Sequence, residues 1–375
     1  MKQKLENYIE LELGKLEETY RLLERFGEDI WPGWDNYSAI EVQMTFPNKV
    51  QVLVSPKKAQ PLGYQSVKGR RMHGKFLFIN RANELQKHVT PPLIATRGMG
   101  GFLIRLEMDH LFLPPKKSER SQLIEKRLIA QADKDIAFNM APQGDSDGHI
   151  LMLVHEHFHG FQAKHGRWGG GSNGLRDFRV TAEYAAYSHI EGLALYQAFQ
   201  KIDQSEALEY FKDFFVARDS KQALMPSDAV AGEQYISVIE GTPSYCSLKM
   251  AMILRDEAYE PGISREDDPF FYDFQYMDGY VSSLMEKGLH FAANWTLDKR
   301  GKYYLYGAYQ CFLLDRFVPG WKRNFFKNKK NLDQITAEFL DLTEEQKEEI
   351  AKRIKLRYTY DDICAKHDAV IKAEK

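Results

Sequence analysis

The sequence predicts an α+β protein, with a small strand-rich lobe followed by a larger, mainly helical one. Three observations carry this. Strand-like segments cluster early: Ile40–Met44 and Val50–Val54 alternate, and Phe76–Ile79 and Phe102–Leu106 look like further strands. From Ser118 onward the apolar period shifts from two to between three and four. Pro114-Pro115 falls where the period changes and closes the first lobe. The expected division is a mixed lobe over residues 1–117 and a helical lobe over 118–375, or one domain integrating both.

The elements follow in order. Leu5, Ile9, Leu16, Tyr20 and Leu23 recur at helical spacing and predict a helix over Lys2–Phe26, ended by Trp31-Pro32-Gly33-Trp34. The strands come next, with a turn at Pro47-Asn48 and a glycine-marked loop at Gly98, Gly100 and Gly101. A long helix is expected over Ser121–Met140. Another, starting near Asp145 or Ser146, ends in a flexible loop bearing Gly166, Gly169, Gly170, Gly171 and Gly174. Later helices are expected over Asp177–Lys201, Ser205–Ala223, Ser227–Ile239, Thr242–Tyr259, Tyr272–Lys287, Tyr303–Phe317 and Leu332–Leu340. A last one opens on the capping-box pattern Thr343-Glu344-Glu345-Gln346.

Composition narrows the class. The net charge of −2 offers no global field for nucleic acid or an anionic membrane, and the basic run around Lys322-Arg323 reads as solvated surface. Three widely spaced cysteines give neither a disulfide framework nor a thiolate metal site, so any metal must be held by nitrogen and oxygen. No membrane span is expected. The chain reads as soluble and cytoplasmic as it stands, or exported if a signal peptide was trimmed.

The chemistry sits at His155-Glu156-His157-Phe158-His159. Residues i and i+4 share one helix face, so His155 and His159 can grip one Zn²⁺ from the same side. Glu156, one residue on, flanks the ion without binding it and can take a proton from the attacking water. Ile150, Leu151, Leu153, Val154, Phe158 and Phe161 make the helix largely apolar. Several polar side chains in such a helix cost several kcal/mol without compensation, which a metal supplies. His157 and His165 read as supporting or surface residues. A single helix cannot bend a third ligand round the same ion, so that ligand is expected from elsewhere, as a carboxylate. Ile190-Glu191-Gly192 and Ile239-Glu240-Gly241 share a pattern and make Glu191 and Glu240 the two candidates. The glycine after each would let a backbone or a substrate come close.

The H-E-x-x-H motif followed by Glu191-Gly192-Leu193-Ala194-Leu195-Tyr196 resembles the gluzincin metallopeptidases, a group that includes thermolysin-like and aminopeptidase N-like enzymes. The resemblance covers residues 151–196. It implies a zincin-like catalytic lobe and hydrolysis of peptide bonds in a peptide or protein substrate. It also implies Zn²⁺ held by His155, His159 and Glu191, with Glu240 as the alternative, and Glu156 as general base. In that family a later Tyr, His or Arg stabilises the oxyanion. By position the candidates are Tyr245, Tyr304, Tyr306 and Arg218, with Tyr245 assigned the role. The aminopeptidase signature Gly-Ala-Met-Glu-Asn is absent. Two rival expectations are a catalytically inactive module that binds peptides or a protein partner, and a structural zinc site.

Overall fold

A computed structural model describes residues 2–46, 50–58, 64–80, 94–98, 101–107, 146–165, 173–264, 266, 268, 271, 273–274 and 300–373. The helix expected over Ser121–Met140, all of the one expected over Tyr272–Lys287 but Asp273 and Phe274, and most of the glycine-rich loop lie outside these residues. The chain forms two compact units. The first takes in Met1–Ile129, Asn139–Trp168 and Lys249–Asp278. The second takes in Ala130–Phe138, Gly169–Leu248 and Gly279–Lys375. The helix carrying the H-E-x-x-H motif belongs with the N-terminal sheet.

In the first unit, helix α1 (Lys2–Ile30) precedes strands β1 (Glu41–Phe46), β2 (Val50–Ser55), β3 (Gln65–Met72), β4 (Lys75–Asn80), β5 (Ile94–Gly98) and β6 (Gly101–Glu107). They form one six-stranded sheet in the order β3-β4-β2-β1-β6-β5. All neighbours pair antiparallel except β1 and β6, which run parallel with Val42 opposite Ile104. Alternation decides which face is buried. Val42, Met44 and Phe46 of β1 join Val50, Val52 and Val54 of β2 in a core with Ile9, Leu13, Leu16 and Tyr20 of α1. Strand β3 escaped the sequence reading for a physical reason. It is a sheet edge with exposed Gln65, Ser66, Arg70 and Arg71 and a register shift between Ser66 and Arg71, so it carries charge rather than alternation.

Helix α2 (Ser146–Lys164) completes the described core of this unit. It is buried on nearly every side, as an apolar-all-round helix must be. Phe158 wedges between Trp31 and Trp34, with ring centroids 4.9 and 5.0 Å away. The Trp-Pro-Gly-Trp break after α1 thus anchors the motif helix as well as ending the first one.

The second unit is helical where described: α3 (Asn173–Asp177), α4 (Ala182–Gln200), α5 (Gln204–Gln222), α6 (Ser227–Ile239), α8 (Lys302–Phe317), α9 (Leu332–Leu340), α10 (Glu344–Arg357) and α11 (Tyr360–Ala373). Helix α7 (Gly241–Asp256) carries the chain from this unit back into the first. Caps set several boundaries. Thr181 accepts from the Tyr184 amide, which starts α4 later than its apolar pattern suggests. Asn331–Gln334 and Thr343–Gln346 form reciprocal capping boxes. Thr359, with φ 48°, breaks the last helical run into α10 and α11. Among the described residues no helix is long and apolar enough to cross a membrane.

Candidate metal centre

Helix α2 places His155 and His159 one turn apart and aims their rings at each other. Their Nε2 atoms are 3.1 Å apart, close to the roughly 3.3 Å that separates two nitrogens on one tetrahedral zinc. Both residues are about 5% exposed or less, and Glu156 beside them is 8% exposed. The Nδ1–H of His159 donates to the side-chain oxygen of Gln162 at 2.9 Å. That hydrogen bond puts the proton on Nδ1 and leaves the Nε2 lone pair facing His155. The donor set is two imidazole nitrogens with a carboxylate one residue along. This suits zinc, which accepts nitrogen and oxygen without demanding thiolates.

The other histidines of this helix do different work. His157 is fully buried, donates from Nδ1 to the Leu153 carbonyl at 2.7 Å and meets Tyr20 edge to face. Burial, then the nearby Lys75 charge, pulls its imidazole down to about 3, so it stays neutral. Lys75 stands on the same side of the core. It donates to the Tyr20 hydroxyl and to the carbonyls of Tyr37 and Ile40, tying β4 to α1 and to the turn before β1. His165, just past the helix end, is exposed and lies against the ring of Phe161. His149, two turns before Glu156, pairs with the buried Glu12 of α1 at 3.2 Å.

In the second unit the two candidate carboxylates stand in different surroundings. Glu191 on α4 is fully buried and committed to cations. Arg218 reaches it from Nε at 2.8 Å and from its terminal nitrogen at 2.6 Å, and Lys221 grips the other oxygen. The network extends through Lys221–Glu233 at 2.8 Å and Arg218–Asp333 at 2.5 Å, with Tyr303 donating to Glu233. Burial alone would pull the Arg218 guanidinium down, but Asp333, Glu191 and Glu233 hold it well above its ordinary value. Lys221 and Arg218 likewise keep Glu233 low against burial. The helix segment that resembles a zinc-binding one is therefore held by a buried ion network joining α4, α5, α6 and α9. Glu240, the C-cap of α6, is only partly buried and accepts from Arg300 at 2.7 Å.

The oxyanion candidates separate in the same way. The Tyr245 hydroxyl donates to Asp315 at 2.5 Å and accepts from Lys322 at 2.8 Å, with the ring fully buried. Burial and then Asp315 push that phenol far above its ordinary range. The hydroxyl assigned the oxyanion role from sequence position thus already has both an acceptor and a donor as partners. Tyr306 donates to the Ser188 carbonyl, and Arg218 belongs to the ion network. Tyr304 alone of the four stands beside Glu240's partner, at 3.5 Å from Arg300. Sequence reasoning missed Gln162. Its signal was its spacing of three residues after His159, one helical turn away on the same face.

Comparison of the chain with models of known protein families, with curated proteins and with solved structures finds no match.

Proposed function

We propose that this protein is a single-zinc hydrolase that cleaves peptide bonds. One observation carries the reading: two buried imidazole Nε2 atoms 3.1 Å apart, on the turn of helix that also bears Glu156. Two imidazoles meeting edge to face in a buried helix can share at most one hydrogen bond between them. A shared cation stabilises both and accounts for their burial.

In this reading His155 and His159 are two of the ligands, and the third is a carboxylate for which the sequence offers Glu191, with Glu240 as the alternative. Arg218 and Lys221 already neutralise Glu191, which favours the alternative. Zinc, when bound, supplies Lewis acidity that makes water nucleophilic near neutral pH. Glu156 takes the proton of the attacking water and delivers it to the leaving amine, so one carboxylate serves as base and then as acid. The zincin-like character of the lobe, the peptide substrate and the metal belong to the same proposal.

Glu156→Gln keeps the side-chain shape and removes the base. The variant should bind zinc as tightly as the wild type and lose nearly all hydrolysis of a mixed peptide library. Chelation should silence the wild-type protein reversibly. Full activity in Glu156→Gln, or unchanged activity after removal of the metal, would overturn the reading.

A further inference from the structure

We propose that Gln162 is a positioning residue of the metal site, fixing His159 in the one tautomer and ring orientation that can bind an ion. The inference rests on the zinc reading above and goes beyond it by naming the residue that prepares the ligand. Gln162 is fully buried on α2, one turn beyond His159, and its oxygen lies 2.9 Å from His159 Nδ1.

A carboxamide oxygen has no proton to give, so the hydrogen in this bond sits on His159 Nδ1. A neutral imidazole has one N–H, so Nε2 of His159 is a bare acceptor. Without a metal, the 3.1 Å contact between the two Nε2 atoms is then a hydrogen bond donated by His155 and accepted by His159. When an ion arrives, only His155 must move its proton. His159 is already in its binding form. The same bond stops the imidazole from turning about its side chain, which keeps the lone pair directed at the ion. Partners of this kind beyond a metal's own ligands typically change affinity by about 10–100-fold.

Substitution at this one position tests it. Gln162→Met retains length and apolar bulk but accepts no comparable hydrogen bond. Gln162→Glu retains the accepting oxygen. Zinc alone is titrated into metal-free protein in competition with a chromophoric chelator. Gln162→Met should bind about 10–100-fold more weakly than wild type, and Gln162→Glu should recover most of the loss. A nitrogen-15 spectrum of the metal-free wild-type protein should show His159 protonated at Nδ1, and Gln162→Met should show a mixture of tautomers. This readout does not depend on metal, and a purely structural role would not move it. Wild-type affinity in Gln162→Met, no recovery in Gln162→Glu, or a wild-type His159 protonated at Nε2 would each overturn the proposal. Should Gln162→Met fail to fold, the wild-type tautomer still decides. If the wild-type protein binds no zinc while His159 carries its proton on Nδ1, the metal reading itself has failed, and the positioning role with it.

Discussion

The Nε2 atoms of His155 and His159 face each other at 3.1 Å on a single turn of buried helix. A ligand that binds only the folded arrangement stabilises the fold by mass action, by about 2.7 kcal/mol when present at a hundred times its dissociation constant. Zinc should therefore raise the melting temperature of the wild-type protein. Neither His155→Ala nor His159→Ala should respond. Calorimetry with and without added zinc makes the comparison, and an equal shift in all three proteins would show that the metal binds elsewhere.

Glu191 and Glu240 should part company under the same conservative change. Glu191→Gln leaves the buried Arg218 and Lys221 short of charge, a defect worth about 3–5 kcal/mol of stability. Its zinc affinity, measured on the folded fraction, should hold. Glu240→Gln gives up a partly exposed pair with Arg300, worth at most about 1 kcal/mol, and should lose zinc affinity instead if Glu240 is the ligand. Denaturant melts paired with zinc titrations separate the two. A stable Glu191→Gln that no longer binds metal would restore Glu191 as the ligand.

That contrast shows what was legible in the sequence and why. The i, i+4 histidines needed only helical periodicity, and strands β1 and β2 needed only alternation, as at Val42, Met44 and Phe46. Glu191 and Glu240 look alike in sequence because each precedes a glycine, yet their roles depend on partners far along the chain. Arg218, Lys221 and Asp333 meet Glu191 only after the helices have packed. The same holds for Tyr245, whose hydroxyl is claimed by Asp315 and Lys322. Local pattern reports which side chains share a face. It does not report which buried charges will neutralise each other.

The C-terminal helix should loosen in acid. His367 on α11 lies 3.0 Å from His189 on α4, and both are buried. Burial, then the charges of Lys366 and Lys302, pulls the His367 imidazole from 6.5 to about 4. In the unfolded chain that ring binds a proton below about 6.5, whereas the folded one resists until about 4. Unfolding therefore takes up a proton within that window. The contribution is complete above the unfolded value and declines as pH falls towards the folded one. His367→Gln should flatten the fall in melting temperature between pH 6.5 and 4. An unchanged slope would assign the acid sensitivity to other groups.

The glycine after Glu240 has its own explanation, and it yields a sharper test of the third ligand. Helices α7 and α8 cross backbone to backbone at Gly241 and Gly307. A Cβ on Gly241 would stand 2.6 Å from the Gly307 Cα, and one on Gly307 would stand 2.8 Å from the Gly241 Cα. These neighbours are main chain, so nothing flexible can give way and the helices must part. Gly307→Ala should cost about 1–3 kcal/mol in a denaturant melt. Parting the helices also shifts the residue that precedes Gly241, which is Glu240. If Glu240 is the third ligand, Gly307→Ala weakens zinc binding although residue 307 bears no donor. Destabilisation with unaltered zinc affinity would mean that Glu240 does not hold the ion, since a ligand's reach is set by the backbone that carries it.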